Sequence, residues 1–133
     1  MLKNVSVVLC TYNRCASLKN ALASVAVQVV PDSLEWEVLV VDNNSNDQTA
    51  EIVTHFVQQY PGRFRYLFEP RQGLSYARNS GIREAKGDVV AFMDDDTDVA
   101  CTWLQNLTAS LHDGTWAGAG GRILPYWTCP HPR

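Results

Sequence analysis

Short, continuous apolar runs alternate along this chain with segments of helical period, and that alternation limits the fold more than any other feature. The runs are residues 5–10, 37–41, 63–69 and 89–93. Between them Leu18, Ala21, Leu22, Val25 and Val29 recur at helical spacing. Ile52, Val53, Phe56, Val57 and Tyr60 form a second stripe behind the capping-box pattern Ser45-x-x-Gln48, and Pro61-Gly62 stops it. Leu74, Ala77, Ile82 and Ala85 lead to a break at Gly87, and Leu104, Leu107 and Leu111 follow Thr102-x-x-Gln105. Strands apolar on both sides, each followed by a helix, predict an α/β fold: a Rossmann-like, open, mainly parallel sheet with helices on both faces. Residues 116–123 are too glycine-rich to predict a strand, and 125–133, with three prolines, predict an irregular tail. The expected organisation is one domain over 1–124 plus that tail, and 133 residues suffice for a core without staples.

In open parallel sheets, ligands bind outside the carboxyl ends of the strands. Four polar segments fall there: Thr11-Tyr12-Asn13-Arg14, Asp42-Asn43-Asn44, Pro70-Arg71-Gln72-Gly73 and Asp94-Asp95-Asp96. Right-handed crossovers place all four on one edge. Three adjacent acids repel one another, which a divalent cation relieves, and Asp94 and Asp96 turn to the same side of an extended segment. Oxygen donors of this kind suit Mg²⁺ or Mn²⁺ shared with a substrate phosphate, although an acidic loop capping the next helix is the plainer alternative. An EF-hand is excluded because its glycine position holds Val99 and its twelfth position Gln105. Asp42 at a buried strand's end can accept hydrogen bonds from a base or ribose, or cap the following helix, a task left to Ser45. Arg71 and Arg78 flank the helix start at Gly73, where free N–H groups and a guanidinium can hold phosphate; Arg78 could equally pair with Glu84 or Asp88. There is no G-x-G-x-x-G and no Walker A loop. His55, His112 and His131 form no nucleophile constellation, and Cys10 reads as strand packing.

A formal net charge of -3 argues against nucleic acid as a partner, so an anionic ligand must be held by local devices. Cys10, Cys15, Cys101 and Cys129 show no C-x-x-C spacing, and the first apolar run is too short for a signal peptide or a membrane span. Reduced thiols and a cytoplasmic location are expected, or the cytoplasmic face of a membrane in a longer parent protein.

Taken together, Val7-Val-Leu-Cys-Thr-Tyr-Asn-Arg14, Val40-Val-Asp-Asn-Asn-Ser45, Gly73-Leu-Ser-Tyr-Ala-Arg-Asn-Ser-Gly81 and Ala91-Phe-Met-Asp-Asp-Asp96 resemble, in order and spacing, the motifs of the family 2 glycosyltransferases of GT-A fold. The resemblance implies a nucleotide-diphospho-sugar donor, with a UDP-sugar favoured, and inverting transfer to an acceptor hydroxyl on an unidentified sugar, polysaccharide or lipid-linked acceptor. It implies that Thr11, Tyr12, Asn13 and Arg14 line the nucleotide pocket with Asn44, and that Asp42 contacts the base. It implies that Arg78 and Asn79 lie near the nucleotide and sugar and that Asp94, Asp95 and Asp96 meet ribose and metal, with Asp94 and Asp96 as metal ligands; Arg71 and Gly73 join the expected substrate-binding residues from the helix start. The family draws its general base from a later half. Here Asp113 is the one carboxylate after Asp98, so the chain reads as the donor-binding half, weak or inactive alone, with a non-catalytic nucleotide-binding or interaction fragment as the alternative. Self-association through an exposed apolar edge near Trp116, Tyr126 and Trp127 is a further expectation.

Overall fold

The computed structural model describes residues 2–130. Four strands, β1 (Asn4–Thr11), β2 (Glu35–Asp42), β3 (Phe64–Phe68) and β4 (Val89–Asp94), alternate with four helices, α1 (Cys15–Ala26), α2 (Thr49–Gln59), α3 (Leu74–Glu84) and α4 (Trp103–Ala109). The sheet order is β3-β2-β1-β4, and every pair is parallel. The α/β parallel sheet expected from the alternation is therefore present. β1 lies inside the sheet, which is why Val5, Val7, Val8 and Leu9 are all buried.

The two faces are covered unequally. Leu18, Leu22 and Val25 of α1, Val53 and Phe56 of α2 and Leu104 of α4 pack with Val7, Leu9, Val38 and Val40 into one large cluster. Each fully buried leucine there is worth roughly 2–3 kcal/mol. The other face carries α3, where Ala77 packs with Val8, Leu39 and Val41. That helix can lie so close because Gly81 has no side chain: a Cβ there would stand 2.5 Å from Val8 Cγ1.

The helix starts depart from the capping patterns. α2 begins at Thr49, not behind Ser45: the Ser45 hydroxyl accepts the Asn13 N–H at 2.9 Å, and the Asp47 carboxylate accepts the Thr49 N–H at 3.0 Å. Thr102 makes no capping bond either; the Gln28 amide oxygen, reached from beyond the end of α1, accepts the Leu104 N–H at 2.9 Å. At α2 a neighbouring side chain, Asp47, takes the N–H, and at α4 a distant one, Gln28, does. α1 stops at Ala26 short of Val29, whose N–H donates to the Cys101 carbonyl, and α3 stops at Glu84 short of Gly87. Beyond Ala109 the described residues form no helix or strand, as expected for 116–123 and for the tail up to residue 130; residues 131–133 of that tail lie outside the described residues. No helix among the described residues is long and apolar enough to cross a membrane, and all four cysteines are free.

Candidate functional site

The register brings three strand ends level: Thr11 stands opposite Asp42, Cys10 opposite Asp94, and Asp42 opposite Phe68. Above them opens a cleft of about 450 Å³, lined by Cys10, Thr11, Tyr12 and Arg14 after β1, Asn43 after β2, Gln72, Gly73, Leu74 and Ala77 around the start of α3, and Asp94, Asp95 and Asp96 after β4. Three of the four polar segments predicted for this edge thus line one cleft directly, and Asn43 represents the fourth.

The acidic triplet divides by its alternation. Asp94 and Asp96 are exposed, whereas Asp95 turns inward and accepts a hydrogen bond from the Thr11 hydroxyl at 2.9 Å. Burial, followed by the neighbouring Asp96 and Asp94 charges, pushes the Asp95 carboxyl above its ordinary range, partly offset by Thr11 and Arg14. Asp96 meets the Arg14 guanidinium at 3.3 Å, a pair open to water on both sides. Among the described residues no group of three or more His, Cys, Asp or Glu side chains could hold a metal. The two exposed carboxylates, Asp94 and Asp96, offer the oxygen donors that hard divalent cations take, though two alone would not complete a coordination shell.

The other predicted residues act around the cleft rather than in its wall. Asp42 is buried, with one carboxylate oxygen accepting the Ser45 N–H at 2.9 Å and the other the Tyr66 hydroxyl at 2.6 Å. Burial and that bond raise the Tyr66 phenol's pKa, so it stays a donor. Asn13 and Asn44 hold the positive φ values of 49° and 66°, in the left-handed region that asparagine tolerates. The Asn13 amide oxygen accepts the Asn46 N–H at 2.8 Å, lacing the loops after β1 and β2 together. Arg71 turns from the cleft to Glu69, donating to it at 2.7 Å, and lies 4.7 Å from the centre of the Tyr76 ring. Arg78 and Asn79 are exposed on α3. Arg78 makes no ion pair with Glu84 or Asp88 and stands 5.8 Å from the Phe92 ring centre; Asp88 instead accepts the Lys3 and Asn4 N–H groups.

Sequence reasoning missed the polar residues that hold the cleft together. Glu69 is 4% exposed, yet accepts from the Arg71 guanidinium, the Arg71 N–H and the Ser80 hydroxyl. Those bonds, the Arg71 side chain's first, hold its carboxyl down at about 2. Asn43, also buried, donates from its side-chain amide to the carbonyls of Glu69 at 3.0 Å and Arg71 at 2.6 Å, and accepts the Gly73 N–H at 3.0 Å. Gly73 itself has φ +140°, a conformation that L side chains rarely adopt. The signal for Asn43 was its place directly after a buried strand. For Glu69 it was an acid at the end of an aromatic strand. Cys10, half-buried in the cleft floor, is pushed up to about 11 by burial, with Arg78 opposing, and stays a thiol at neutral pH.

Comparison with known proteins agrees with this architecture. The chain is 38% identical over 119 residues to glycosyltransferase AglE of Haloferax volcanii, a match covering 90% of this chain and 39% of AglE. It is 31% identical to the GalNAc(5)-diNAcBac-PP-undecaprenol beta-1,3-glucosyltransferase of Campylobacter jejuni, covering 83% of this chain and 35% of that enzyme. The chain therefore spans well under half the length of these relatives. Among solved structures, S. aureus TarS in complex with UDP superposes with a TM-score of 0.74 at 28% identity, over 92% of this chain and 38% of that one. The mannosyltransferase PcManGT of Pyrobaculum calidifontis, in complex with GDP-Man and Mn²⁺, gives 0.64 at 31% identity, over 71% and 28%. These GT-A neighbours share the parallel sheet, and the sequence model of "Glycosyl transferase family 2" matches residues 6–127. The chain belongs to glycosyl transferase family 2.

Proposed function

We propose that this chain binds the donor of a glycosyl transfer, a nucleotide-diphospho-sugar, together with a divalent metal held by Asp94 and Asp96. The observation that carries the reading is the convergence of the ends of β1, β2 and β4 and the start of α3 on one cleft whose outward carboxylates, Asp94 and Asp96, flank a buried one, Asp95. Tyr12, 48% exposed at the rim, offers a flat face to a base. The N–H groups at the start of α3, behind Gly73, suit a diphosphate, and Arg14 supplies a cation beside the acids. Arg78 has no carboxylate partner among the described residues and is available to an anionic ligand. When bound, the metal would offset charge on the leaving diphosphate. UDP is the favoured nucleotide: TarS has been solved with UDP and with UDP-GlcNAc, whereas PcManGT has been solved with GDP-Man.

Transfer with inversion needs a general base at the acceptor hydroxyl. Asp113 is exposed, lies outside the cleft and accepts the Thr115 N–H at 2.9 Å. That position favours a second reading, donor binding without transfer by this chain alone. In either case the cleft is the donor site.

Thermal unfolding with UDP or GDP, each with and without Mn²⁺, tests the proposal. A ligand at a hundred times its Kd adds about 2.7 kcal/mol, several degrees for a domain of this size. The expected outcome is a Mn²⁺-dependent rise for UDP that Asp94→Ala/Asp96→Ala abolishes. No rise with either nucleotide would sink the donor-site reading.

A further inference from the structure

We infer that Asn43 is the positioning residue that sets the width of the donor cleft, an inference that rests on the proposed donor site. One continuous hydrogen-bond path runs across the cleft floor, from the acids on one wall to α3 on the other, and Asn43 is its central joint. The Asp95 carboxylate accepts from the Thr11 hydroxyl at 2.9 Å; the Thr11 carbonyl accepts the Asn43 N–H at 2.9 Å; the Asn43 side-chain oxygen accepts the Gly73 N–H at 3.0 Å. The Gln72 side chain closes the joint from outside by donating to the Asn43 carbonyl.

The chemistry at this position is specific to a primary amide. The loop after β3 presents two carbonyls and one N–H to residue 43, and an asparagine side chain answers with two donors and one acceptor. Aspartate would keep the acceptor but face the Glu69 and Arg71 carbonyls with lone pairs. Alanine would remove the side-chain partner of all three backbone groups, the Glu69 carbonyl being the buried one. Because Gly73 lies immediately before α3, releasing its N–H frees the end of the helix that walls the cleft. A ligand gripping both the acids and the α3 start needs that spacing fixed beforehand, since a wall ordered only on binding lowers affinity. Asn43 lies in the cleft floor, and its proposed effect travels through Gly73.

The test compares Asn43→Ala and Asn43→Asp with Val53→Ala, a core truncation under α2 on the other face of the sheet. Calorimetric Kd for UDP with Mn²⁺, melting temperature, and amide exchange at Gly73 in the ligand-free wild-type chain are the readouts. The expected result is a protected Gly73 amide, at least a tenfold loss of UDP affinity in both Asn43 variants, and less than a threefold change in Val53→Ala despite its lowered melting temperature. Equal losses in Asn43→Ala and Val53→Ala would overturn the inference, because a merely structural residue acts that way. So would an unprotected Gly73 amide in wild type, a result that stands even if the Asn43 variants do not fold. Should wild type bind neither nucleotide, the donor-site reading falls, and amide exchange alone decides for Asn43. Deprotection confined to Gly73 and Leu74 in Asn43→Ala then supports the role, and no deprotection or a global one overturns it.

Discussion

Glu69 shows how much a single buried acid organises here. Its carboxyl is held at about 2 against an ordinary 4.5, so its contribution to stability is complete above the ordinary value and drains away as the pH falls toward 2. Glu69→Gln lacks the charge at every pH. The difference in unfolding free energy between wild type and this variant, measured in urea from pH 7 to pH 2, is expected to shrink below about pH 4.5 and to stay level above it. A constant difference across the range would assign the stabilisation to something other than the carboxylate. At this scale the sequence was legible where chemistry is local. Asp94 and Asp96 are exposed and Asp95 is buried between them, although β4 ends at Asp94 and the next two residues form a turn. Asn43 and Glu69 were not legible as a pair, because an asparagine after a strand reads as a turn residue until its partners, 26 to 30 residues further on, are known.

At the level of elements, α3 is the vulnerable piece. It is the helix that packs against Val8, Leu39 and Val41, and Gly81 sets how closely it can approach. Gly81→Ala places a methyl carbon 2.5 Å from Val8 Cγ1 and 3.3 Å from Val41 Cγ2, so the helix must lift or β1 must yield. The expected loss is about 1–3 kcal/mol by denaturant unfolding, despite alanine's better helix propensity. A stabilised variant would mean that propensity outweighs the contact. Strand positions were legible because each is a continuous apolar run, and helix existence because each stripe repeats at helical period. The starts of α3 at Gly73 and α4 at Thr102 were legible too, but the start of α2 and the capping bonds were not. Ser45 and Thr102 both carry a capping pattern, yet it is Asp47 that accepts the Thr49 N–H at the start of α2, and Gln28 reaches α4 across 76 positions of sequence. A pattern within four residues cannot register Gln28, whereas Asp47 lay inside the Ser45-x-x-Gln48 window and competes with Ser45 from there.

Over the whole molecule, apolar surface is unevenly distributed. Past α4, Trp116, Ile123, Leu124 and Tyr126 are between 67% and 89% exposed, against 39% to 58% for the other exposed large hydrophobes among the described residues. Concentration-dependent self-association is expected, seen as earlier elution in sizing chromatography, and Trp116→Ser/Tyr126→Ser should reduce it. A chain that elutes as a monomer at every concentration would contradict the expectation. The flush register of the strands has a consequence in time as well as in space. β1 pairs with β4, and the Thr11–Asp95 bond closes a separation of 84 residues. Long-range parallel pairing is slow, since the loop must close before contacts reward it. During synthesis at roughly 5–20 residues per second, Thr11 waits several seconds for Asp95 to be made. Once β2 is made, and until β4 follows, β1 has one finished neighbour and one bare edge, and the nascent chain has half a cleft floor.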